Sequence, residues 1–434
     1  MSRKEILTHA SVPVKASLII MGTGQLMYKQ WVKGMLYLAV FAGTCFYLAT
    51  AGIHDIAGFF TLGTKEADPW LGTEGDDSVI MLLRGLLAFI VIVAFFIIHR
   101  SNVRDILECD DKVRMGKTLP GFCKAVSLFL DRKFYLAALA IPVVGVLVFN
   151  VLPILFMILI SFTNYGGDIV PPKLVDWIGL DNFRKILSLT EIKDTFFKIL
   201  GWNLIWAFAS TFLNYFGGLG LALLLNKQCV KGKSFWRAFP ILAYAVPGFI
   251  TLLAFKFLFS YGGPINYYIT LHGGNAIGFL DIDAGIKAKL IGLVVNAWIS
   301  IPTSMLLATG ILSNMNTDLY EAASIDGATK WKQFTKITLP FVIFSTTPTL
   351  ITSFIGNFNN FGVFYFLRGG LYMDGYFLAS DTDLLINWLY NLSIDNNYYG
   401  IGAAVSLIIF VITSIFSLTI YVRSSAYKKE DTFR

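Results

Sequence analysis

Long apolar runs alternate with short polar connections along the whole 434-residue chain. A helix needs about twenty mostly apolar residues to cross a bilayer. Eight stretches qualify: 34–53, 79–98, 134–163, 201–225, 235–259, 290–313, 341–367 and 400–422. Within hydrocarbon the backbone must satisfy its own hydrogen bonds, so runs this long predict an all-α membrane protein with eight transmembrane helices. Arg84 and Lys256 fall inside two of the runs, placed where a long side chain reaches the headgroups. The 22–34 stretch is amphipathic and too polar to span, which predicts an interfacial or re-entrant lead-in.

The connections carry an orientation signal. Arg3, Lys4, Lys15, Lys29 and Lys33 precede the first span, whereas Asp55, Glu66, Asp68, Glu74, Asp76 and Asp77 crowd the next connection against Lys65 alone. Basic residues return in Arg100, Arg104, Lys112, Arg114, Lys117, Lys124, Arg132 and Lys133. They recur in Lys227, Lys231, Lys233 and Arg237, and again in the tail with Arg423, Lys428, Lys429 and Arg434. Lysine and arginine collect on the cytoplasmic side, so both termini are expected there. The first span is expected to direct insertion, since the apolar stretch 18–21 is too short for a signal-peptide core.

Composition sharpens this reading. A chain that is 56% hydrophobic and 15% charged is not a soluble globular domain. Its net charge of +7 lies in alternate loops, which excludes a nucleic-acid surface. Cys45, Cys109, Cys123 and Cys229 show no metal-ligand spacing. No phosphate loop of the form GxxxxGK followed by Ser or Thr occurs, so the chain is not expected to bind ATP itself, nor any other cofactor.

The polar segment 318–340, set between two apolar runs, predicts two short helices around a bend. Asp318 with Glu321 has the form of an N-cap and its reciprocal partner. Leu319, Ala322, Ala323 and Ile325 give a small apolar face, and Gly327 supplies a left-handed end. Trp331, Phe334 and Ile337 then recur at helical spacing among Lys330, Lys332 and Lys336, until Pro340 starts a new membrane helix. Glu321-Ala322-Ala323, Gly327, Ile337 and Leu339-Pro340 stand at the spacing of the EAA loop, so the chain resembles the permease subunits of bacterial ABC importers. The resemblance implies a type I importer fold whose coupling helix, with Glu321, Ala322, Ala323, Gly327, Leu339 and Pro340, docks on a cytoplasmic ATPase.

Polar side chains at membrane depth are costly unless paired or lining a cavity. Ser353, Asn357 and Asn360 share one face of the seventh span, and Asn296, Ser300 and Thr303 repeat that spacing in the sixth. Two matched stripes without an ionised group describe either a neutral sugar-binding cavity or hydrogen-bonded glue between helices. Phe354, Phe358, Phe361 and Trp298 flank the stripes as candidate apolar walls. Pro247 and Gly248 interrupt the fifth span, as in spans that bind substrate at a break or in a simple kink. An ion-coupled carrier would need a membrane-embedded carboxylate, which the spans lack, and no His, Cys or acidic constellation marks a membrane enzyme.

The pieces YAVPGF from Tyr244, VNAW from Val295 and SFIGNFNNF from Ser353 are similar to the large integral subunit of maltose and maltodextrin importers, the MalF type. That resemblance runs from about residue 134 to the C-terminus. It implies a lead-in region 1–133 and a permease core 134–434, in the cytoplasmic membrane. It further implies sugar contacts from Tyr244, Gly248, Asn296, Ser300, Thr303, Ser353, Asn357 and Asn360, which favours the cavity over the glue. The implied partners are a second homologous permease subunit, two copies of an ATPase that bind the ATP, an extracellular sugar-binding protein, the oligosaccharide and membrane lipid. A galacto- or other gluco-oligosaccharide is the alternative cargo. The family's best-studied form carries a large folded domain between its third and fourth spans, where this chain has only 165–200. The last outer loop, 368–399, reads equally as a partner-meeting surface or a solvated linker.

Overall fold

The computed structural model describes residues 10–67, 70, 74–227 and 229–423. Arg3, Lys4, Asp68, Lys428, Lys429 and Arg434, used above for orientation, lie outside the described residues, as do the side chains of Arg132 and Lys133. Among the described residues the chain is helical apart from turns and two isolated bridges, Thr163 with Trp177 and Gly166 with Ile169. Seven helices are long and apolar enough to cross a membrane, and a bent pair makes an eighth if it counts as one span. The chain divides into two compact units, one through Gly179 and one from Leu180.

In the first unit, short helices α1 (Val12–Ile19) and α2 (Thr23–Met27) precede α3 (Trp31–Tyr47), which continues through a π-helical turn into α4 (Ile53–Thr61). The long α5 (Ser78–Arg114) returns, then α6 (Phe122–Val146) leads by a second π turn to α7 (Leu152–Ile160). Asp77 caps α5 by accepting from the amides of Val79 and Ile80. The lead-in is pinned to α5 by a fully buried polar seam. Gly22 N–H donates to Asn102 Oδ1 at 3.2 Å, the Asn102 amide donates to the Ser17 carbonyl at 3.1 Å, and the Gln25 amide donates to the Asn102 carbonyl at 3.3 Å. Gly22 has φ +87°, and a Cβ there would sit 2.2 Å from the Gly34 carbonyl oxygen, so only glycine closes this corner. The basic connection after residue 98 is mostly helix, because α5 runs on to Arg114 with Lys33 and Arg114 paired to Asp105 and Asp110.

In the second unit, α8 (Asp181–Ser188) precedes α9 (Thr190–Asn226), and the bent pair is α10 (Lys233–Ala245) and α11 (Gly248–Leu258), which meet at 90°. The break falls at Val246-Pro247, where Pro247 has no N–H to continue the ladder. After α12 (Pro264–Leu271) come α13 (Gly285–Ser313), α14 (Asp318–Ile325), α15 (Lys330–Gln333) and α16 (Leu339–Phe358). The unit closes with α17 (Gly362–Arg368), α18 (Leu385–Tyr390) and α19 (Tyr399–Arg423). Helices α9 and α13 approach so closely that a Cβ on Gly218 would lie 2.4 Å from the Ser304 Cβ. Trp206, Val295 and Phe364 fill one core, and Ile199, Phe358 and Trp388 another.

The 318–340 segment departs from the expected capping. Asn316, not Asp318, supplies the side-chain acceptor, taking the Asp318 amide at 2.9 Å, and Asp318 is already inside the helix. An asparagine side chain reaches the amide two residues on, which closes an Asx turn ahead of the helix. Gly327 ends α14 at φ +75°, as expected. Helix α15 then runs through a π turn, Phe334–Thr338, straight into α16, so Pro340 does not mark a fresh start. Its missing N–H falls near the π turn, where hydrogen bonding is already shifted.

The stretch 369–398 is not a solvated linker. Ser380, Thr382, Leu384 and Trp388 are buried, and the Arg368 side chain, 1% exposed, holds the region together. Its guanidinium donates to Asp381 Oδ1 at 3.1 Å, to Thr382 Oγ1 at 3.0 Å and to the carbonyls of Leu280, Asp281 and Ile282. This planar fork satisfies a buried charge from one residue. The extension of α9 back to Thr190 is held by the same stretch, since Thr195, Lys198 and Trp202 bond the backbone of Phe377, Gly375 and Thr382.

Asp383, buried beside this cluster, has its carboxyl pushed up to about 6 by desolvation, despite accepting the Ser380 amide at 2.8 Å. A carboxyl whose folded pKa exceeds its ordinary value binds more protons when folded between about pH 4 and 6. Stability from this group therefore falls as pH rises through that window. Asp383→Asn keeps an acceptor and removes the charge, so its thermal midpoint should exceed that of wild type at pH 7 by the equivalent of roughly 1–3 kcal/mol. The gap should close as pH falls from about 6 to 4; a gap that widens on acidification contradicts the assignment.

Candidate functional site

Helices α9, α10, α13 and α16 line a half-open cavity of about 330 Å³, within the range of small-molecule sites. Of the expected sugar contacts, Tyr244, Ser300, Thr303, Ser353 and Asn357 line it. Among the described residues none that lines it is ionised at neutral pH, so a neutral, hydroxyl-rich solute suits it better than an ion.

Asn296 and Asn360 stand beside the cavity rather than in its wall. The Asn360 amide donates to Asn296 Oδ1 at 3.3 Å, the Asn296 amide to Asn357 Oδ1 at 3.4 Å, and the Asn357 amide to Thr211 Oγ1 at 3.0 Å. This relay crosses three helices. Its two amide–amide links are longer than a good N–H···O bond, so sugar hydroxyls can replace them at small loss. Gly248 opens α11 with open space where a Cβ would stand, and it does not line the cavity.

The aromatic walls differ from expectation. Phe354 and Phe358 are packed into a core and Trp298 is 57% exposed, while Tyr244 and Tyr215 line the cavity. The reason is helical phase, since at the foot of the α16 stripe Ser353 faces the cavity and Phe354, its neighbour in sequence, faces α19. Sequence reading also passed over Thr211, Asn214 and Tyr215 on α9, Ser304 on α13 and Thr349 on α16. The signal was there in the i, i+3 and i+4 spacing of Thr211, Asn214 and Tyr215.

The second candidate feature lies where α13 gives way to α16. Helix α14 is clipped to α15 by Gln333, whose amide donates to Ser324 Oγ at 2.9 Å, and to the π turn by Tyr320 with Thr338 at 2.8 Å. Glu321, Ala322 and Gly327 are exposed and Ala323 is half-buried. Leu319, Ile325 at 86% and Trp331 at 73% present apolar surface that the chain itself does not cover.

Residues 214–426 match the profile of the binding-protein-dependent transport system inner membrane component family. The chain is 32% identical to the galactooligosaccharides transport system permease protein GanP of Bacillus subtilis, over 98% of this chain and 100% of that one. It is 33% identical to the maltodextrin transport system permease protein MalC of Streptococcus pneumoniae, over 96% and 98%. The maltose/maltodextrin transport system permease protein MalF of Vibrio vulnificus is 37% identical over 59% of this chain and 50% of its own length. Among solved structures, a chain of a bacterial ABC transporter involved in the import of the acidic polysaccharide alginate shares the fold, with TM-score 0.56 and 21% identity over 69% of this chain and 98% of that one. This chain is therefore a multi-pass membrane protein that belongs to the binding-protein-dependent transport system inner membrane component family.

Proposed function

We propose that this permease subunit passes a neutral oligosaccharide, of the maltodextrin series first and a galacto-oligosaccharide second, through the cavity between α9, α10, α13 and α16. The observation that carries this reading is the uncharged, hydroxyl- and amide-lined cavity at mid-span. Tyr244, Ser300, Thr303, Ser353 and Asn357 contact the sugar there, Asn296 and Asn360 release their amide relay to it, and Gly248 allows α11 to shift at the break. Residues 134–434 act as the permease core behind a lead-in of 1–133.

The bent pair α14–α15 faces the cytoplasm and seats on an ATPase, of which the complex holds two copies. A second homologous permease subunit and an extracellular binding protein complete it. ATP is bound and hydrolysed by the partner, and closure of its dimer moves α14 and turns the cavity from one side of the membrane to the other. The alginate transporter solved with a pentasaccharide-bound periplasmic protein supports a binding-protein partner of this kind.

Uptake by proteoliposomes holding the full complex, with loaded binding protein outside and with or without internal ATP, tests the reading across maltose, maltodextrins and galacto-oligosaccharides. Transport that needs ATP and survives an ionophore is expected, whereas uptake driven by an ion gradient alone means a carrier instead. A reporter fused after Ser78, the first residue of α5, should lie outside the cell. A cytoplasmic signal there reverses the topology.

A further inference from the structure

The cavity extends well beyond the amide relay. Going from Asn357 toward the end of the spans that carries α14, its wall passes Ser353 and reaches Thr349, a rise of about 12 Å along α16. On α9 the same descent goes from Thr211 to Asn214 and Tyr215. The Tyr215 hydroxyl is taken by Thr346 Oγ1 at 2.8 Å, so what it adds to the wall is ring surface at the inner end.

Asn214 is the telling residue. It lines the cavity, is 6% exposed, and its carboxamide oxygen is buried without a hydrogen-bond partner. Asn203, three turns outward on the same helix, shows what an asparagine looks like when it glues helices. Its amide donates to the Phe358 carbonyl at 3.1 Å and its oxygen accepts the Leu385 amide at 3.0 Å, so both its nitrogen and its oxygen are bonded. An unmet buried acceptor costs stability, so its presence at a cavity wall points to a ligand that supplies the missing donor.

We infer that Asn214, with Thr349 and the ring of Tyr215, forms an inner sugar subsite that receives a further pyranose unit of a bound oligosaccharide. Two outer units lie against Asn357 and Ser353, while the third and innermost donates a hydroxyl to Asn214 Oδ1 after a rotation of the carboxamide. The subsite makes α9 a determinant of chain length, and it rests on the cavity being the sugar site.

The test uses the full complex in proteoliposomes with internal ATP and loaded binding protein, comparing maltose with maltotriose. Galactobiose and galactotriose replace them if the uptake panel selects that series. Asn214→Leu should lower the trisaccharide-to-disaccharide uptake ratio at least fivefold, and Asn214→Ser, which keeps a hydroxyl, should restore it to within twofold of wild type. A ratio unchanged in Asn214→Leu, whether uptake of both sugars persists or falls together, overturns the subsite. Thr349→Val reaches the same subsite from α16, with the same expectation, if Asn214→Leu fails to assemble. Full uptake of both sugars by Asn357→Leu is a different result, which removes the cavity reading itself.

Discussion

Replacing Asn357 with leucine is expected to lower sugar uptake about a hundredfold while leaving the transporter complex assembled. Asn357 is 9% exposed and sits in the middle of the relay, donating to Thr211 and accepting from Asn296. Leucine has the same branched outline, and the cavity beside it gives room for its larger methyl groups, so helix packing survives. The Asn357 carbonyl also keeps its bond from Trp206 Nε1 at 3.0 Å, which a side-chain change does not touch. What is lost is a donor and an acceptor facing the cavity. Each unmet partner costs about 1–3 kcal/mol, and two of them reach the hundredfold range. Uptake in proteoliposomes, with co-purification of the partner subunits as the check on assembly, separates loss of the site from loss of the complex. Normal uptake removes Asn357 from the sugar's path.

How far the sequence carries depends on which physical signal each element uses. The spans were legible because run length alone decides whether a helix can cross hydrocarbon, and the break at Pro247 because a missing N–H has one consequence. Gly327 was legible for the same kind of reason, a positive φ that few other residues accept. The 369–398 region stayed undecided because its Gly, Asp and Asn content suits a linker and a partner-meeting surface equally well. Only the fold shows that Arg368 turns these polar groups into a buried, bonded core. The cavity was half legible. Ser353 and Asn357 stood out against apolar neighbours, whereas Asn203 and Asn214 on α9 are indistinguishable in sequence, though one is fully bonded and the other is not. Helical phase gives which residues share a face, but not which neighbouring helix that face meets.

Replacing Gly327 with valine should uncouple ATP hydrolysis from transport while sparing the cavity, which is lined by other helices. Gly327 adopts φ +75° and a Cβ there would meet nothing within 4 Å, so crowding is not the obstacle. The obstacle is the backbone conformation itself, unfavourable by roughly 1–2 kcal/mol for an L-residue and more for a β-branched one. Relief of that strain opens the turn, in which the Gly327 amide donates to the Ser324 carbonyl at 3.1 Å and the Ala328 amide to the Ala323 carbonyl at 2.9 Å. With the turn open, α14 loses its fixed angle to α15, and with it the geometry that the proposed ATPase contact requires. Stimulation of the ATPase by loaded binding protein should fall at least tenfold, with sugar uptake falling in step. Gly327→Asn is the control, because asparagine tolerates the left-handed region and should retain most of the stimulation. Equal loss in the valine and asparagine variants would mean that the position needs a small side chain against the partner rather than a left-handed turn, and full stimulation in the valine variant would remove this bend from the coupling path.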